Sequence, residues 1–97
     1  MATYIMLINY TDQGIRNVKD SPDRLDAAKA LAQKLGGEFK QTYLTLGSYD
    51  LVAVVELPDD AAAATFALTT GALGNIRTTT LKAFTEAEYR DIIAALP

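Results

Sequence analysis

Two glycine-marked turns carry the polar side chains best placed for chemistry. Tyr49 and Asp50 follow Gly47-Ser48, and Asn75 and Arg77 follow Gly74. A tyrosine beside a carboxylate can donate a proton or a hydrogen bond, with the carboxylate orienting it or acting as base. An arginine at a strand entrance can clamp a carboxylate or phosphate through paired N–H bonds. Each has a structural counterpart. Asp50 after a glycine turn accepts backbone N–H bonds, with Tyr49 packed over the hairpin or a subunit contact. Arg77 forms an ion pair with Asp50, a helix acid or a neighbouring subunit. For Asp50 the turn reading comes first.

Composition narrows the chemistry further. The 97 residues include no Cys and no His. That removes disulfides, thiolate nucleophiles, Fe–S clusters, zinc sites and His-ligated haem. Oxygen-ligand metals remain, but no EF-hand spacing occurs, so no metal and no cofactor is expected. Neither GxGxxG nor GxxxxGK[ST] is present. Gly71-x-x-Gly74 has the spacing of a KH-type loop, yet it follows an alanine-rich helix without basic neighbours and reads as helix termination. The net charge is −3 with both signs interspersed, which disfavours nucleic-acid binding. The apolar runs IMLI and LVAVVEL are too short to span a bilayer, and MATYIMLINY lacks the basic n-region of a signal peptide. A soluble cytoplasmic chain of one domain, residues 1–97, is the expectation.

The elements that must position these residues follow from periodicity and caps. Thr3 to Tyr10 reads as a strand, with Ile5 and Leu7 on one face and Tyr4, Met6 and Ile8 on the other. Thr11 or Asp12 caps a short helical turn that carries Ile15 and Val18 inward. Ser21-Pro22-Asp23 starts a helix running to about Leu35, with Ser21 as cap. Its apolar stripe is Leu25, Ala28, Leu31, Ala32 and Leu35. Arg24 falls in the first turn, where a cation opposes the helix dipole. Asp12 or Asp20 is its expected partner. Phe39 to Leu46 is a second strand, joined by a tight hairpin at Gly47-Ser48 to an interior strand, Asp50 to Leu57. An alanine-rich helix spans 59–73, a fourth strand Ile76 to Phe84, and a capping box, Thr85-x-x-Glu88, opens a last helix with the stripe Tyr89, Ile92, Ile93 and Leu96.

The order β-α-β-β-α-β with an appended helix predicts an α+β, ferredoxin-like fold: a four-stranded antiparallel sheet with both long helices on one face. The other face would expose too much apolar surface for a monomer. Two sheets packed face to face, closing a dimeric α+β barrel, would cover it. The last helix either folds back over its own sheet or reaches to a partner. In one register Tyr4, Met6 and Ile8 share a face with Gln41, Tyr43 and Thr45 and with Thr78, Thr80 and Lys82. Closed by a second sheet, that face would line a small-molecule cavity, or form a plain dimer interface. Alternation alone does not choose the register.

Gly47-Ser48-Tyr49-Asp50, followed by Leu51-Val52, resembles the signature of the GYD domain family. The resemblance extends over YIMLINYTDQGI, DSPDR at 20–24, PDD at 58–60 and GNIRTTTLKAF at 74–84. Many members carry Arg or a similar residue at the place of Ser48. The resemblance implies a small ferredoxin-like protein of the dimeric barrel type and brings no established catalytic residues.

Three functions compete. One is a small-molecule-binding or interaction module, a homo-oligomer built from dimers, with Tyr49, Asp50, Arg77, Asn75, Tyr4 and Tyr43 as ligand-binding candidates. The second is a cofactor-free monooxygenase or isomerase using Tyr49, Asp50 and Arg77, an analogy from fold alone. The third is a purely structural self-assembly protein.

Overall fold

LVAVVEL must be covered on both sides, and the rest of the fold follows from that need. The structure, a computed structural model describing residues 1–97, places this run in the sheet interior. The elements in order are β1 (Ala2–Tyr10), α1 (Asp12–Arg16), a 3-10 turn (Val18–Asp20), α2 (Ser21–Lys34), β2 (Glu38–Leu44), β3 (Leu51–Leu57), α3 (Asp60–Ala72), β4 (Ile76–Ala83) and α4 (Glu86–Ala94). The strands form one antiparallel sheet in the order β2-β3-β1-β4. This is the ferredoxin-like split βαβ arrangement. No helix is long and apolar enough to cross a membrane.

The core lies on one face. Tyr4, Met6 and Ile8 from β1 and Ala53, Val55 and Leu57 from β3 are buried against Ala32 of α2 and Ala63 and Phe66 of α3. Small side chains on the helices let their backbones lie close to the sheet. The face expected to line a cavity is therefore the packed core. Tyr4, Met6 and Ile8 do share it with Lys82, Thr80 and Thr78, their partners on β4. Gln41 and Tyr43 do not share it. An irregularity between Phe39 and Gln41 leaves Lys40 unpaired. This β-bulge shifts the alternation by one residue. Phe39 turns inward, its ring centroid 5.8 Å from that of Phe66, while Gln41 and Tyr43 pair with Val54 and Val52 on the opposite face.

Local departures have local causes. β2 ends at Leu44, and Leu46 is 99 % exposed. The hairpin is not a tight turn but the loop 45–50, with Gly47 at φ 124°. Ser21 is the first residue of α2 and not its cap. Its hydroxyl pairs with that of Tyr10 at 2.8 Å, and the preceding 3-10 turn runs straight into the helix. Ile15 and Val18 are exposed. The inward residue of α1 is Gly14, which is buried. Thr11 caps α1 by accepting the Gly14 N–H at 3.1 Å, and its hydroxyl donates to the Gly74 carbonyl at 2.6 Å. The expected helix starts at Asp59 and Thr85 are present, the latter as a complete capping box.

α1 is thus stapled to the turn before β4. A Cβ on Gly14 would stand 1.9 Å from the Asn75 carbonyl oxygen, so the staple needs a residue without one. Overpacking against backbone predicts that Gly14→Ala lowers the unfolding free energy by about 2–3 kcal/mol. Urea denaturation reads it, and an unchanged midpoint would contradict this docking.

Candidate functional site

Three arrangements hold the candidate residues. The first is the end of the sheet where β1 finishes. The Tyr10 N–H donates to Asp50 Oδ2 at 2.9 Å. The Asp50 N–H donates to the Ile8 carbonyl at 2.9 Å, and the Asp50 carbonyl accepts the Thr45 N–H at 2.9 Å. The Thr45 hydroxyl donates to the Tyr49 carbonyl at 2.6 Å. Asp50 is therefore a clamp, holding the 45–50 loop against β1 with its backbone and side chain. It makes no ion pair with Arg77. Arg77 lies opposite Asn9 in the ladder, exposed and without a salt bridge in its own chain.

Asn75 sits at the same end. Its carbonyl accepts the Thr11 N–H at 3.1 Å, and its side-chain oxygen accepts from Gln13 Nε2 at 3.0 Å. Arg24 does not pair with Asp12 or Asp20. Its guanidinium donates to the carbonyls of Asn17 at 3.0 Å and Gly14 at 3.3 Å. That placement satisfies acceptors at the C-terminal end of α1, where a cation is favoured.

The second arrangement lies at the opposite end of β1 and was not expected from the sequence. The Tyr4 hydroxyl donates to Asp60 Oδ1 at 2.6 Å, and Lys82 Nζ is 3.3 Å from the same oxygen. The sequence marks Tyr4 as a candidate, Asp60 as part of a helix start and Lys82 as a strand residue on the face of Tyr4. The shared face of Tyr4 and Lys82 is the signal in the sequence; their direct pairing needs the β1–β4 register. Burial, then the hydrogen bond to Asp60 and its charge, push the Tyr4 phenol up to about 12. The hydrogen bonds from Tyr4 and Lys82 hold the Asp60 carboxyl below its usual range. The pair is a phenol–carboxylate hydrogen bond that ties β1 to the first residue of α3. The buried Thr80 hydroxyl beside it has no hydrogen-bond partner.

The third is the sheet face away from α2 and α3. The register places Ile5, Val54 and Leu81 in one row across it, and Leu7, Val52 and Tyr43 in the next. No helix of the chain covers them. α4 leaves β4 with Tyr89, Ile92, Ile93 and Leu96 exposed and no buried residue. The accessible surface is 6407 Å², about 1,000 Å² more than the ~5,400 Å² of a folded monomer of 10.5 kDa. The radius of gyration, 14.5 Å, likewise exceeds the ~12.5 Å of a chain this long.

The GYD domain model matches residues 4–93, nearly all of the sheet and its helices. The chain belongs to the GYD domain family. A Thermus thermophilus protein named glutamine synthetase and cystathionine beta-lyase binding protein is 35% identical over 97 residues, 99% of each chain. A crystal structure of a Thermus thermophilus protein superposes with a TM-score of 0.51 at 30% identity, covering 88% of this chain and 95% of that one. In this GYD chain Gly47 and Asp50 serve the loop clamp. The structure brings Asp50, Asn75 and Arg77 to one end of the sheet, sets Tyr4 at the other, and turns Tyr43 to the open face.

The Tyr4–Asp60 contact has a pH signature. Ionised Tyr4 is disfavoured in the fold, so its contribution is complete below the ordinary tyrosine value near 10 and is lost as pH rises through about 12. Asp60 acts in the other sense: its contribution is present above the unfolded carboxylate range and is lost as pH falls through its lowered value. Unfolding curves from pH 10 to 12 should show a steeper loss of stability for the parent than for Tyr4→Phe. Parallel curves would contradict the coupling.

Proposed function

We propose that this chain is an interaction module. It self-associates through its open sheet face, two sheets closing a dimeric α+β barrel, and the assembly docks onto other proteins. The observation that carries the reading is the uncovered apolar surface of Ile5, Leu7, Val52, Val54, Leu81 and Tyr43. The excess over a monomer, about 1,000 Å², matches the ~800 Å² per partner that a stable interface buries. The relative's printed name supports protein partners, and glutamine synthetase and cystathionine beta-lyase are the first to test. The half-buried Tyr49 and the exposed Arg77 lie outside that apolar surface and remain for a partner or ligand. Asp50, Asn75 and Tyr4 act through the fold.

Val54 is the central position to test, paired with Ile5 on one side and Gln41 on the other. Light scattering should give twice the chain mass of 10.5 kDa for the parent. Val54→Lys should give the single mass with an unchanged far-UV circular dichroism spectrum. Immobilised parent protein should capture one of the two enzymes from its own host, and Val54→Lys should capture less. A parent that is monomeric at every concentration, or that binds neither enzyme, contradicts the corresponding part.

A further inference from the structure

We propose that α4 of one copy lies in the groove between α2 and β2 of a second copy. This rests on the self-association proposed above and assigns the helix its place in it.

Three observations carry the assignment. First, α4 spans only Glu86–Ala94. Helices shorter than about 12 residues are marginal in water without tertiary packing. Its capping box fixes the N-terminus, but its stripe of Tyr89, Ile92, Ile93 and Leu96 lies exposed on its own chain.

Second, the fold carries a groove of matching character. It has a volume of about 560 Å³ and is lined by Pro22 and Leu25 of α2 and Phe39 and Leu44 of β2, with Lys29 and Lys40 among its walls. Leu44 is 74 % exposed. Lys40 is paired with Glu38 at 2.8 Å, while Lys29 has no ion pair in its own chain. α4 carries Glu86, Glu88 and Asp91 against the single Arg90, which is tied to Glu86 at 2.9 Å. An acidic apolar helix and a basic apolar groove are complementary.

Third, the chain's own α4 is kept from the groove, because α2 and α3 already cover the helix-side face between the two sheet edges. β2 and β4 are opposite edges of the sheet, about 14 Å apart at three strand spacings. Only Phe84 and Thr85 separate β4 from α4, a link of at most about 7 Å. When two sheets face each other about a two-fold axis along the strands, β4 of each copy overlies β2 of the other. α4 then starts level with Glu38 and Phe39 of the second copy but beneath its open face, about 10 Å from that sheet. The helix's own length of about 13 Å carries Ile92, Ile93 and Leu96 round the β2 edge into the groove on the helix side.

The absence of native Cys makes a direct test clean. Leu44→Cys and Ile93→Cys, both at exposed positions, are prepared as separate full-length proteins and mixed with a short bis-maleimide. The proposal expects a covalent heterodimer from the mixture and no covalent dimer from either protein alone. Ile93→Asp should weaken the dimer by about tenfold or more. If light scattering shows a dimer while the mixture gives no heterodimer, or Ile93→Cys links to itself, the groove assignment is overturned and self-association stands. A monomer at every concentration overturns both.

Discussion

A four-stranded sheet with two helices has one face that its own chain leaves bare. Here that constraint governs everything else. α2 and α3 cover Tyr4, Met6, Ile8, Ala53, Val55 and Leu57. The alternate residues of the same strands, equally apolar, meet no helix. Apolar surface of this extent is unfavourable in water, and burial against another molecule relieves it. The α4 stripe adds to the same imbalance. The self-association proposed above would relieve both with surfaces the chain already has.

The polar residues serve this scaffold more than they serve chemistry. Asp50 ties the 45–50 loop to the end of β1 through one side-chain and one backbone hydrogen bond, and closes the loop on itself through a second backbone bond to Thr45. Asn75 and Gly74 receive α1 through Thr11 and Gln13. Tyr4 reaches out of the core to Asp60, the first residue of α3. Each joins elements distant in sequence, so each fixes how the sheet face is presented. A rigid, precisely held face suits recognition of a protein surface, where little backbone movement on binding preserves affinity.

Much of this was legible in the sequence. Strand alternation, the caps at Asp59 and Thr85, and the interior character of LVAVVEL are local signals, and they specified the element order and the antiparallel sheet. That one apolar face would be left without a helix was legible too, from the count of apolar faces against helices. The identity of the bare face was not. One unpaired residue, Lys40, reversed the alternation of β2, and a bulge of this kind has no periodic signature. Ring packing of Phe39 on Phe66, a long-range contact, decides it. Arg24 was misassigned for a similar reason: its partners are backbone carbonyls, which a sequence does not display. The link from Tyr4 to Asp60 and Lys82 needed the β1–β4 register, which alternation leaves open.

The central claim is that the surface left bare by one chain is completed by another. Amide hydrogen exchange at Ile92 and Ile93, followed as protein concentration varies, tests it most directly. Protection of these α4 amides should rise with the dimer population and disappear on dilution, while the core amides of Met6 and Val55 stay protected throughout. α4 amides protected equally at every concentration, or unprotected where the dimer is fully formed, would contradict the account.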